Sequence, residues 1–71
     1  MTKSTRTAIG NRIRFLREQN ELTQTKFALM VNVERAYLSK LEAGEPNASI
    51  DVIERIAEGF GMSLSEFFEG I

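Results

Sequence analysis

The chain contains no cysteine and no histidine. Disulfides and thiolate or imidazole metal sites are therefore excluded, and no cofactor is expected. An enzyme is not expected either. No glycine-rich phosphate loop is present, and no carboxylates are paired in a way that suits acid–base work. Glu54 and Glu58, one turn apart, read as a solvated helix face. Proline occurs once, at Pro46. Long apolar runs are also missing, so no membrane span is expected, and the opening "MTKSTRTAIG" has no apolar signal-like core. These absences point to a cytoplasmic protein. With 71 residues the chain is expected to form one domain, 1–71, near the lower size limit for an unstapled core. Oligomerisation is one way to extend such a core.

Net charge is −1, which argues against a generic polyanion binder, but the charge is unevenly placed. Residues 1–40 carry eight cations against three acids, a net of +5. Residues 41–71 carry Arg55 against seven acids, a net of −6. A basic face for an anionic partner and an acidic face turned away from it would look like this, as would ordinary drift of surface charge.

Helix signals recur along the chain without repeats or linkers. Ile9, Ile13 and Leu16 form an i, i+4, i+7 stripe on a first helix of about 5–20. Thr23 caps a second helix that buries Phe27, Ala28 and Val31, and Asn32 supplies a left-handed turn. A third helix runs to a stop at Gly44. Ser49 caps a fourth with inner positions Ile50, Ile53, Ile56, Ala57 and Phe60, ended by Gly61. Ser63 and Glu66 form a capping box for a short fifth helix carrying Leu64, Phe67 and Phe68. No segment shows strand alternation, so the expected fold is all-α with five helices.

The third helix has an unusual outer surface. On a helical wheel Tyr37, Leu38, Leu41 and Glu42 share the inner arc. The opposite arc holds Arg35, Ala36, Ser39, Lys40 and Ala43: small residues, two cations and no acid. A short turn joins this helix to the second, giving a helix-turn-helix at about 23–43. Over "RIRFLREQNELTQTKFALMVNVERAYLSKLEAGEPNASIDVIERIAEGFGMSLSEFF" the chain resembles the lambda-repressor/Cro-type (XRE) DNA-binding domains. The segments "LTQ...FA", "YLSKLEAG" and "GMSLSEFF" occur in the family's order and spacing. The short length and the "FFEGI" ending are most similar to controller proteins of restriction-modification systems.

The resemblance implies a compact five-helix, lambda-repressor-like domain that regulates transcription on double-stranded DNA, with the third helix in the major groove. Small residues there let the backbone approach, which accounts for the unusual surface. Arg35 is the first candidate base reader, since Arg bonds guanine O6 and N7 together. Lys40 is a base or phosphate contact, Ala36 can touch a thymine methyl, and Ser39 completes the face. Gln24 matches a family position that holds a phosphate at the start of the second helix. Thr23 is either a phosphate contact or a plain N-cap, and Lys26 is either a phosphate contact or a solvated lysine. Tyr37 matches a family aromatic that packs inward with its hydroxyl near the phosphates. Asn47 occupies a loop position that bonds phosphate in relatives, although Glu45 replaces the basic residue common beside it. The family also pairs Glu42 with Arg17 as a structural ion pair, which removes Arg17 from the DNA-binding cations.

Similar proteins dimerise through the C-terminal end, here about 50–71, with Phe67, Phe68 and Ile71 as candidate interface residues. A symmetric dimer reads a palindromic operator. The acidic half is a candidate surface for RNA polymerase. Phe15, opposite the apolar stripe, is either a single exposed aromatic or part of a second contact surface. A different class of function also fits the scaffold: a protein-interaction module such as an antitoxin or adaptor. RNA is a weaker partner, because the deep, narrow A-form major groove excludes a recognition helix.

Overall fold

A computed structural model describes residues 1–45 and 47–71 as five consecutive helices; Pro46 lies outside the described residues. They are α1 (Lys3–Gln19), α2 (Gln24–Val31), α3 (Arg35–Glu42), α4 (Ile50–Gly59) and α5 (Leu64–Glu69). Among the described residues there is no strand, and no helix is long and apolar enough to cross a membrane.

Four helices start at a hydroxyl. Thr2, Thr23, Ser49 and Ser63 each accept a hydrogen bond from the backbone N–H three residues on, and Ser63 and Glu66 complete a reciprocal capping box. Helix α3 begins at Glu34 without a side-chain cap. The first helix starts earlier than its apolar stripe predicts. Thr2 takes the cap position, and the stretch from Lys3 continues the helix ahead of Thr5.

The ends of α1 to α4 share one device. A residue with positive φ turns the chain back, and two backbone N–H groups close onto carbonyls of the last helical turn. The turning residues are Glu21, Asn32, Gly44 and Gly61, with φ of 55°, 57°, 76° and 73°. After α1, for example, Glu21 N–H bonds Glu18 O at 3.0 Å and Leu22 N–H bonds Arg17 O at 3.0 Å. After α2, Val33 N–H reaches Ala28 O at 2.9 Å. Asn32 also offers its own carbonyl to Arg55 Nη1 at 2.8 Å, which ties the turn to α4.

Every helix contributes to one core. Ile9, Ile13 and Leu16 of α1 meet Phe27, Ala28 and Val31 of α2, Leu38 and Leu41 of α3, Ile53, Ile56 and Ala57 of α4, and Phe67 of α5. Full burial of such side chains contributes roughly 1.5–3 kcal/mol each against exposure. Phe60 stacks on Phe27, with ring centroids 4.3 Å apart and planes 13° from parallel. Ile50 departs from the expected inner set: it is exposed, because it is the first residue of α4 and lies ahead of the turn that docks. Helices α1 and α3 cross closely at Gly10, where an added Cβ would collide with the carbonyl oxygens of Leu41 and Glu42. This crossing sets the depth of α3 in the fold and therefore how far its outer surface projects.

Candidate nucleic-acid interface

The αL conformation of Asn32 limits the connection between α2 and α3 to three residues, Asn32 to Glu34. Buried Leu38 and Leu41 press the inner side of α3 into the core. The opposite side is left outward, with Arg35, Ala36, Lys40 and Ala43 exposed and Ser39 half-buried. No acidic side chain interrupts this surface. Tyr37 packs against the core from the flank of α3, in a shallow recess with Val33, Val52 and Arg55. Its ring is therefore held by neighbours on α4 and the α2–α3 turn.

Behind the outward surface runs a chain of polar contacts. Arg17 Nε donates to Glu42 Oε2 at 2.8 Å and Arg17 Nη2 donates to Glu42 Oε1 at 3.0 Å. The two side chains are only 12% and 5% exposed. Arg17 Nη1 also donates to Leu22 O at 2.8 Å, so one guanidinium ties α1 to α3 and to the turn before α2. The carboxylate beside Arg17 raises its pKa, and partial burial opposes the shift. Glu42 Oε1 accepts a third bond, from Gln24 Nε2 at 3.1 Å. That contact turns Gln24 Oε1 toward Arg35, whose Nη1 lies 3.5 Å away. The run Arg17–Glu42–Gln24–Arg35 thus connects the interior to the outward arginine.

Helix α2 has its N-terminus beside this chain. Thr23 Oγ1 accepts from Lys26 N–H at 3.1 Å, so Thr23 is an N-cap. The first turn has no acidic residue, and the N–H groups of Gln24 and Thr25 have no partner within the helix. Anions are favoured at such a terminus by its orphan donors and its dipole. Lys26 is exposed on the same turn. Asn47 is exposed in the α3–α4 loop, where Glu45 O accepts from Arg6 Nη1 at 3.2 Å.

Several cations have structural partners that the sequence does not announce. Arg12 Nε donates to Phe67 O at 2.9 Å and Nη2 to Glu66 O at 3.2 Å, while its guanidinium lies 5.9 Å from the Phe67 ring centroid. It satisfies the last carbonyls of α5 and binds that helix to α1. Arg14 pairs with Glu18 at 3.3 Å on the exposed side of α1. With Arg6, Arg12 and Arg17 held by carbonyls or a buried carboxylate, the basic half presents fewer outward cations than its composition suggests. At the C-terminal end Phe67 and Phe68 differ. Phe67 has no accessible surface in the single chain, whereas Phe68 and Ile71 are 37% and 49% exposed. Phe67 is thus a core residue, stacked edge-on against Phe68 at 5.5 Å, and the candidate interface reduces to Phe68 and Ile71.

The sequence pattern of the helix-turn-helix (HTH_3) family matches residues 13–67, from the middle of α1 to the core phenylalanine of α5. The chain belongs to this XRE-type family. It is a DNA-binding regulator with the lambda-repressor-like fold, not an enzyme. The control protein C.MunI from a Mycoplasma species is 40% identical over 63 residues, which cover 87% of this chain and 85% of that protein. The restriction-modification controller protein C.AhdI from Aeromonas hydrophila has a similar structure, with TM-score 0.86 and 28% identity over 92% of this chain and 98% of its own. A second controller protein, C.Esp1396I, solved as a tetramer in complex with its natural 35 base-pair operator, gives TM-score 0.83 and 30% identity over 90% of this chain and 84% of its own.

Proposed function

We propose that this regulator acts as a homodimer on a palindromic double-stranded operator, with α3 in the major groove of each half-site, and that it serves as a restriction-modification control protein in the cytoplasm. The observation that carries the reading is the outward surface of α3: Arg35, Ala36, Ser39, Lys40 and Ala43, free of acids and set beside the acid-free N-terminus of α2. Small side chains let the helix backbone approach base edges, and the two cations have the reach to touch them. Arg35 reads guanine, Ala36 meets a thymine methyl, and Ser39 and Lys40 extend the contact along the helix. Thr23, Gln24, Lys26, Tyr37 and Asn47 fix the register on the phosphates. Gln24 has one amide N–H on Glu42, which leaves the other and its backbone N–H for phosphate. Two copies meeting through Phe68 and Ile71 place their α3 helices on half-sites about one turn, roughly 34 Å, apart. The acidic half of the chain is then the surface that meets RNA polymerase. The resemblance to control proteins over nearly the full length of each chain supports the assignment to restriction-modification control.

The test is selection from a random duplex pool near physiological salt, wild type beside Arg35→Ala. Enrichment of a two-fold symmetric motif, with specific positions relaxed in the variant, supports the reading. Retention that enriches no sequence and fades with salt overturns it.

A further inference from the structure

A groove of about 430 Å³ runs between the outer side of α1 and the end of the chain, lined by Ala8, Asn11, Arg12, Phe15, Gly70 and Ile71. Its one cation is not free for an anionic ligand, because the Arg12 guanidinium is bonded to the carbonyls of Glu66 and Phe67. Gly70 packs directly on that guanidinium, so a side chain there would displace it. Phe15 is 52% exposed and Ile71 49% exposed at the two rims. DNA contact through α2 and α3 gives neither residue anything to do.

We propose that this groove is part of the contact between two copies of the chain, with Phe15 as an anchor. The inference rests on the dimeric reading above and enlarges its surface. Phe68 and Ile71 alone fall far short of the roughly 800 Å² per partner that a stable interface buries. The apolar surface that continues from Ile71 is this groove. A two-fold contact is self-complementary: a patch that both protrudes and recedes fits its own copy. Here the C-terminal segment exposes Phe68 and Ile71, and the groove lined by Ala8, Phe15 and Gly70 recedes beside it. Phe68 and Ile71 of each copy then pack into the other's groove, and Phe15 closes over them. Self-association is also a property of a structural relative, since C.Esp1396I was solved as a tetramer on its operator.

Sedimentation equilibrium of the full chain without DNA, across micromolar concentrations, tests this with four proteins: wild type, Phe15→Ser, Asn11→Arg and Leu29→Ser. Asn11→Arg places a long charged side chain in the groove from an exposed helical site and keeps the fold if Phe15→Ser loses it; circular dichroism checks both. Leu29 is 83% exposed on α2 and controls for a general loss of surface apolarity. The expected result is a dimer whose Kd rises about tenfold or more in both groove variants, the effect of removing one interface anchor, and is unchanged in Leu29→Ser. A wild-type dimer with unchanged Kd in the folded groove variants overturns the groove and leaves the dimeric reading intact, as does a loss shared by Leu29→Ser. A wild type that stays monomeric at every concentration, and binds its selected operator as one copy, overturns both.

Discussion

Gln24 Nε2 donates to Glu42 Oε1 at 3.1 Å, and Glu42 is the carboxylate that Arg17 grips from α1. One buried acid therefore does two jobs. It neutralises the interior guanidinium, and it orients the amide at the start of α2 so that its oxygen points toward Arg35. An anion near a helix C-terminus is disfavoured by the dipole, and Glu42 is the last residue of α3. The partners collected around it explain why the fold retains it there.

Removing Glu42 and removing Gln24 should consequently have different effects. Glu42→Ala leaves Arg17 buried without its counter-charge and should cost about 3–5 kcal/mol of stability, read from urea melts. Gln24→Ala leaves that pair intact and should melt near wild type. Its specific operator affinity should fall about fivefold, about 1 kcal/mol, with the loss concentrated at the base pair that Arg35 reads. Equal weakening on every sequence would instead make Gln24 a phosphate contact alone.

Gly10 gives a prediction whose sign is opposite to helix propensity. In an exposed helix Gly→Ala stabilises by roughly 0.5–1 kcal/mol. At Gly10 the new methyl meets the carbonyls of Leu41 and Glu42, which are backbone and cannot swing aside. Gly10→Ala should therefore destabilise by about 1–3 kcal/mol, the usual range for overpacking. Because α3 would be pushed outward, operator affinity should fall further than the melt accounts for at the assay temperature. A melt at or above wild type would mean that α1 and α3 are not held at this distance.

What the sequence made legible and what it hid divide along the range of the interactions. Ser49, Ser63 with Glu66, Asn32, Gly44 and Gly61 act on backbone groups within a few residues, and composition marks each of them. Apolar periodicity likewise placed Ile9, Ile13, Leu16, Ile53 and Ile56 in the core. Ile50 obeyed the same period but stands at the first turn of its helix, where periodicity says nothing about docking. Arg12 was hidden for a different reason: its partners are backbone carbonyls 54 and 55 residues away, and a carbonyl leaves no mark in the sequence. The outward side of α3 was visible because it is defined by which residues are absent. The bond that turns Gln24 toward Arg35 depends on a tertiary neighbour, Glu42, and needed the fold.

Glu21 is the one turning residue among the four helix ends that is neither Gly nor Asn. Its φ of 55° places a Cβ in the left-handed region, at a cost of about 1–2 kcal/mol. Its side chain is exposed and makes no hydrogen bond among the described residues that would offset the strain. Glu21→Gly should therefore raise the melting temperature, even though glycine adds freedom to the unfolded chain. Of two variants at this motif, Glu21→Gly should stabilise and Gly61→Ala, at φ 73°, should destabilise. If thermal melts show both moving the same way, φ does not govern these turns.

The capping box of α5 responds to pH. The Ser63 backbone N–H and, secondarily, its hydroxyl hold the Glu66 pKa below the usual glutamate value. A carboxylate whose folded pKa is lowered adds stability that is fully present above its unfolded value of about 4.3 and is lost as pH falls through the folded value. Acid should thus loosen the start of α5 as pH falls through that lowered value. Because α5 carries Phe68 and leads to Ile71, self-association should weaken over the same range. Following the Ser63 amide and the Glu66 side chain by NMR between pH 6 and pH 2, roughly the span over which carboxylates titrate, should give one shared midpoint below about 4.3. Glu66→Gln should remove the Ser63 amide transition, since the glutamine oxygen still accepts the bond but no longer titrates. A midpoint at or above the ordinary value would mean that the reciprocal bond from Glu66 to the Ser63 backbone is not formed in solution.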